Sequence, residues 1–264
     1  MMKRTVLAIA SLALIGVLAG CGQHNLKTTK TSYRQNGMVA VVKGTAAKKA
    51  TLTYTIDDAK AKSVTVKSGT YVIQVPATTH KQQVTIKAKQ AGQVQQKQVT
   101  IQAAKALGDY QTIVSTYNQA LVGMALSKDD QALAQSLQKQ TAAAKAGELS
   151  ATQLATLQTT QQALQTAMVK AQQQQAKLLL PTQAKSGVQT LQKNANTTIR
   201  ANVANQQMIG MTLITPVKAL KNKAALKAFG TSFSLLANAT GADAKKVMHE
   251  FETFTKKSQA DNQT

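Results

Sequence analysis

The chain has 264 residues, 32 Lys and Arg against 10 Asp and Glu, a formal charge of +22, one cysteine, no tryptophan, and nine Phe and Tyr. A single cysteine excludes an internal disulfide framework and a cysteine metal cluster. The scarcity of aromatic rings leaves few platforms on which bases or sugars could stack.

The first predicted element is an export signal. Lys3 and Arg4 precede an apolar run from Thr5 to Val17, and the small residues Ala19 and Gly20 follow. That run is shorter than the roughly 20 residues needed to cross a bilayer. Leu18-Ala19-Gly20-Cys21 resembles the lipobox of bacterial lipoproteins, the recognition site of a type II signal peptidase. The resemblance implies cleavage before Cys21, with Leu18, Ala19 and Gly20 as the recognised residues. It also implies a diacylglycerol thioether and acylation, such as palmitate, on Cys21. Two acyl chains anchor stably where one does not. Residues 1–20 are thus expected to be a signal peptide. The mature protein is expected to be exported and anchored on the outer face of a Gram-positive membrane.

Residues 21–37 are polar and weakly periodic, and are expected to form the lipidated cysteine and a flexible tether. From Met38 the period becomes two. Met38–Val42 is a β-rich apolar run ended by Gly44. The apolar residues of Thr51–Ile56, Val64/Val66, Tyr71/Ile73/Val75 and Val84/Ile86/Ala88 alternate with polar ones, and Val94, Val99 and Ile101 mark a last strand. Turns are expected at Asp57-Asp58, Ser68-Gly69 and Ala91-Gly92. Short strands at this spacing predict a small antiparallel β-sandwich over 38–103. It resembles the immunoglobulin-like modules of bacterial surface proteins, without their hallmark cysteines and tryptophan.

Beyond residue 104 the period moves toward 3.6. Tyr110, Ile113, Val114, Tyr117, Leu121 and Met124 share one helix face. Ser127 caps a second helix, with Leu133 and Leu137 on its buried side. Ser150 and Gln153 form a capping box for a third that stops near Pro181. Val188, Leu191, Ala195 and Ile199 predict a fourth helix running toward Met208. Pro216 is expected to open a fifth carrying Leu226, Phe229, Phe233 and Leu236. Gly241 ends it, and Asp243 caps a last helix with Val247, Met248, Phe251 and Phe254. The expected fold class is therefore α+β in two domains, the sandwich followed by an all-α helical bundle over 104–264.

Candidate sites are few. His24, His80 and His249 are scattered, and His249-Glu250 lacks the second histidine of a zinc helix because position 253 is Thr. Asp57-Asp58, Asp129-Asp130 and Glu250/Glu252 do not resemble a hydrolase acid and base pair. No nucleophile elbow or phosphate loop is present. No catalytic residue, cofactor or metal is expected.

Met124, Met168, Met208, Met211 and Met248 could line an adaptable groove, although methionine among Leu and Ala is more often core filler. The apolar stretch Met208–Ile214 is expected at the heart of the bundle, with a peptide groove as the rarer reading.

Removing residues 1–20 takes away Lys3, Arg4 and no acid, leaving 30 basic against 10 acidic residues spread over both domains. Such a field favours anionic wall polymer or lipid headgroups. Without dense Lys/Arg blocks, specific nucleic-acid binding is disfavoured. The composition resembles surface lipoproteins of lactic acid bacteria. The expected role is non-catalytic binding or structure at the anionic envelope, with a possible protein partner. The alternatives are a holdase-like helper for exported polypeptides and, more weakly, a hydrolase whose site assembles only in space.

Overall fold

The computed structural model describes residues 26–250 and Thr253. It is a mixed α and β structure whose strands pair antiparallel, with one parallel exception. Leu18, Ala19, Gly20 and Cys21 lie outside the described residues, as do His24, Glu252, Phe251 and Phe254.

The leading chain forms three short strands, β1 (Lys27–Thr28), β2 (Ser32–Tyr33) and β3 (Gln35–Asn36). They are followed by β4 (Val39–Thr45), β5 (Thr51–Ile56), β6 (Lys62–Val64), β7 (Thr70–Pro76), β8 (Gln82–Gln90) and β9 (Gln93–Ile101). One sheet joins β1, β3 and β7 to β4, and the other runs β2-β9-β8-β5-β6. The two sheets share a core that includes Val42, Ile73, Val75, Leu52, Val84 and Ile86. The alternation in β7 and β8 places every second side chain inside, as the pleat requires. Residues with positive φ make the turns at Asp57-Asp58, Ser68-Gly69 and Ala91-Gly92.

The tether expected over 21–37 requires correction, because the described part of it, from Leu26 onward, is folded into the sandwich. Leu26 and Tyr33 are buried in the sandwich core. β1 and β3 pair with opposite ends of the same edge of β4, while β2 crosses to pair in parallel with β9. The polar sequence of this segment hides a strand that changes sheets, held by two buried side chains and backbone pairing.

The second unit also differs from the all-α expectation. The short strand β10 (Gly108–Asp109) leads into α1 (Tyr110–Ala125), α2 (Lys128–Lys145) and α3 (Ala151–Gln175). Residues 187–214 are not a helix but three strands, β11 (Gly187–Lys193), β12 (Thr198–Ala204) and β13 (Gln207–Ile214), in the order β10-β13-β12-β11. The 3.6-residue spacing of Val188, Leu191, Ala195 and Ile199 competed with a period of two in Ile199, Ala201 and Val203. Both faces of β12 are covered, so a helical stripe would leave part of its apolar surface unburied. Two turns secure the meander. Asn194 Oδ1 accepts from the backbone N–H groups of Asn196 and Thr197. Asn205 and Gln206 take positive φ in a two-residue hairpin turn.

The helix capped at Ser127 and the capping box of Ser150 with Gln153 form as expected. α2 buries no residue, and Leu133 and Leu137 are only half-buried. Pro216 does not open the next helix. A single 3-10 turn (Ala219–Lys221) intervenes, and Asn222 caps α4 (Lys223–Thr240) through Ala224 and Ala225. Gly241 terminates α4 with φ 67°, and Asp243 Oδ1 accepts from the N–H groups of Lys245 and Lys246 at the start of a helix over 244–250. No helix among the described residues is long and apolar enough to cross a membrane.

α1 and α4 pack on one face of the second unit's sheet around Tyr110, Val114, Ile199, Met208 and Leu235. The other face meets the sandwich through Ala77, Ala204 and Ile209. Asn202, only 1% exposed, fastens this seam: its Nδ2 donates to the carbonyls of Met38 at 2.8 Å and Ala77 at 2.7 Å. Gly210 lies against the backbone of Gly37 and Met38, where a Cβ would come within 2.9 Å of the Gly37 carbonyl oxygen.

Candidate functional site

The outer half of β13 floors an apolar groove of about 490 Å³. Met211 and Leu213, spaced by two, point to the same side of the strand. α4 supplies one wall with Phe229 and Phe233, one turn apart and with ring centroids 6.2 Å from each other. Val217 and Leu220, from the turn after β13, and Val247 and Met248, from the helical segment after α4, complete the lining. Leu107 forms the rim beside β10. Val217 is 78% exposed and Leu107 46%, so apolar surface stands open at the groove mouth.

Two polar features accompany this surface. β10 pairs only with Gln207 and Met208, so among the described residues no strand covers the outer edge of β13 from Gly210 to Ile214. Half of the backbone N–H and C=O groups along such an edge face outward. Thr215 also lines the groove, with its hydroxyl oxygen buried and without a hydrogen-bond partner among the described residues. The rim is cationic, with exposed Lys218 and Lys221 beside Val217 and Leu220, and exposed Lys245 and Lys246 beside Val247 and Met248.

The methionines weighed as a groove divide. Met211 and Met248 line it, Met208 is fully buried in the core, and Met124 and Met168 are exposed elsewhere. The stretch Met208–Ile214 is thus half core strand and half groove floor. The missed signal was the alternation through β13. A β-bulge at Ile209 interrupts it, with Val203 opposite Met208 and Asn202 opposite Gly210.

The other sequence candidates do not converge. His80 lies exposed in the loop after β7 and His249 exposed on the last helical segment, in different units. Asp57 Oδ1 accepts from the Gln83 N–H at 2.7 Å, and Asp130 accepts from the Ser127 hydroxyl at the start of α2. Among the described residues no three His, Cys, Asp or Glu side chains gather as a metal site. Burial raises the ionisation of Tyr117 and Tyr110 above the ordinary phenol range, and for Tyr117 a hydrogen bond with Ser232 opposes the shift. Tyr110 donates to the Pro181 carbonyl at 2.6 Å, and Asn118 bonds both backbone groups of Leu180. The Tyr110 and Asn118 contacts are structural ties between α1 and the segment after α3.

No family model matches the chain, and no curated protein matches it. Among solved structures it is similar to an endo-beta-1,4-mannanase from Thermotoga petrophila at 6% identity, covering 32% of this chain and 20% of that one, with a TM-score of 0.27. A protein from Bacteroides thetaiotaomicron matches at 10% identity over 34% of this chain and 97% of that one, TM-score 0.25. Fibronectin(III)-like modules of Clostridium thermocellum CbhA match at 14% identity over 30% of this chain and 95% of that one, TM-score 0.22. Likeness at this level carries no function across.

Proposed function

We propose that this chain is an exported, non-catalytic binding protein, held on the outer face of the cell membrane by lipid on Cys21, which captures extended apolar polypeptide segments in the β13–α4 groove. The observation behind this reading is the open backbone edge of β13 running beside the apolar floor. An extended peptide adding to that edge would satisfy its backbone groups and set alternate side chains against Met211 and Leu213. The lysine rim favours a polypeptide with acidic residues flanking its apolar anchors. A holdase-like helper for exported polypeptides fits this geometry. The sandwich is read as an immunoglobulin-like spacer, and anchoring rests on the lipobox resemblance.

The test is peptide capture by the mature protein with Leu107→Asp and Val217→Asp together. Both side chains are already exposed, so folding is retained while binding falls at least about tenfold, as charge enters an apolar contact. Capture should persist at about 1 M salt, where surface electrostatics are screened within about 3 Å. Unchanged binding in the double variant, or its complete loss in salt, rejects the groove. In the native host, Cys21→Ala should release or mislocalise the protein; unchanged membrane retention rejects the anchor.

A further inference from the structure

The sheet-changing strand leaves a notch on the edge of β4. Between β1 and β3 the chain departs toward β9, and the gap beside Val41 and Lys43 opens a pocket of about 670 Å³. The phenol of Tyr33 fixes its shape. The Tyr33 hydroxyl accepts from the Lys30 N–H at 3.0 Å and donates to the Lys43 carbonyl at 3.2 Å, while the Thr29 N–H reaches the same carbonyl at 2.9 Å. Three exposed cations surround the pocket, Lys30, Arg34 and Lys43, with Thr29, Ser32 and Asn36 among them. No carboxylate lines the pocket, and among the described residues none of the three cations is held in an ion pair. The two acids between residues 26 and 103, Asp57 and Asp58, sit in the turn after β5 of the other sheet.

The position of the notch matters as much as its charge. Five residue steps separate Cys21 from Leu26, a span of at most about 18 Å, and Thr29 is three steps farther on. Lipid on Cys21 would hold this edge of the sandwich within headgroup range. The long tether expected over 21–37 would not have done so.

The geometry points to a docking site for the phosphate of an anionic lipid headgroup in this notch. Arg34 supplies a planar donor fork, Lys30 and Lys43 supply point charges, and the site presses the sandwich onto the leaflet that carries the anchor. The proposal rests on the anchored reading for its orientation and adds the face that meets the membrane.

The experiment uses the mature chain with Cys21→Ser, so that no acyl chain contributes, and vesicles of equal parts phosphatidylglycerol and phosphatidylcholine. Lys30→Gln, Arg34→Gln and Lys43→Gln together should weaken vesicle binding about a hundredfold, from roughly fivefold per cation near an anionic surface. The matched triple Lys87→Gln, Lys89→Gln and Lys97→Gln, exposed on the other sheet, removes the same charge and should weaken it less than about fivefold. Equal losses in the two triples overturn the proposal in favour of diffuse charge. Displacement from vesicles by inorganic phosphate, or by glycerol phosphate polymer at a lower phosphate concentration than the lipid, overturns it in favour of a free anion or a wall polymer. Peptide capture by the notch triple should be unchanged, so failure of the groove and failure of the notch are read separately.

Discussion

Asn202 is the test of whether the two units behave as one body. Asn202→Ala removes both bonds that cross the seam from β12 to Met38 and Ala77. The Met38 carbonyl keeps the Ala77 N–H at 3.3 Å as a donor, so its loss is about 0.5–1.5 kcal/mol. The Ala77 carbonyl, in a fully buried residue, loses its Asn202 donor, which costs about 1–3 kcal/mol. Against this, Asn202 Oδ1 is itself buried without a partner, and deleting it returns about 1 kcal/mol. The net destabilisation is therefore about 2 kcal/mol, concentrated at the seam. Urea unfolding of the mature chain, followed by far-ultraviolet circular dichroism and by tyrosine fluorescence, measures it. The expected outcome is a lower midpoint and a transition that separates toward two steps, because Tyr33, Tyr54 and Tyr71 report on the sandwich while Tyr110 and Tyr117 report on the second unit. A change below about 0.5 kcal/mol with an unaltered single transition would refute the reasoning, since it is the range of an ordinary surface substitution.

Other consequences concern single elements. A methyl at Gly44 would overlap the Lys27 carbonyl and the Tyr71 phenol, so Gly44→Ala should expel β1 and destabilise the sandwich by about 1–3 kcal/mol or more in thermal unfolding. Burial, with Tyr33 nearby as the lesser cause, pushes the Tyr71 hydroxyl up to about 12. The folded state therefore holds this proton more tightly than the unfolded chain. Its contribution is full below the ordinary phenol value near 10 and is lost as pH rises from there through about 12. Urea midpoints across that window should fall less steeply in Tyr71→Phe than in the native chain. Hydrogen bonds from the Thr112 backbone N–H, foremost, and from its hydroxyl hold the Asp109 carboxyl below its usual range. The capping contribution of Asp109 to α1 is present above the unfolded carboxylate value near 3.9 and is lost as pH falls through the lower folded value. α2 buries no side chain, so its amides should exchange faster than those of α1; equal protection would contradict the packing.

Local rules made much of this chain legible. The alternation through Tyr71, Ile73 and Val75 needs only the pleat of one strand. The turns at Asp57-Asp58, Ser68-Gly69 and Ala91-Gly92 need only their own backbone angles. The caps at Ser127, Ser150 and Asp243 and the stop at Gly241 each satisfy groups within one turn of helix. Such signals are written within a few residues of where they act, so the sequence by itself determined them.

The tertiary structure decided the rest. Polar residues 27–36 become strands because β4 and β9 offer edges and Tyr33 finds a core. Residues 187–214 become a sheet because β12 is covered on both faces, by helices and by the sandwich, and a 3.6-residue stripe cannot answer two faces at once. The groove exists because β10 stops after two residues and leaves β13 uncovered. The notch exists because one strand leaves β4 midway. Each depends on partners far away in the chain, and local periodicity carries no record of which edges are paired and which are left open.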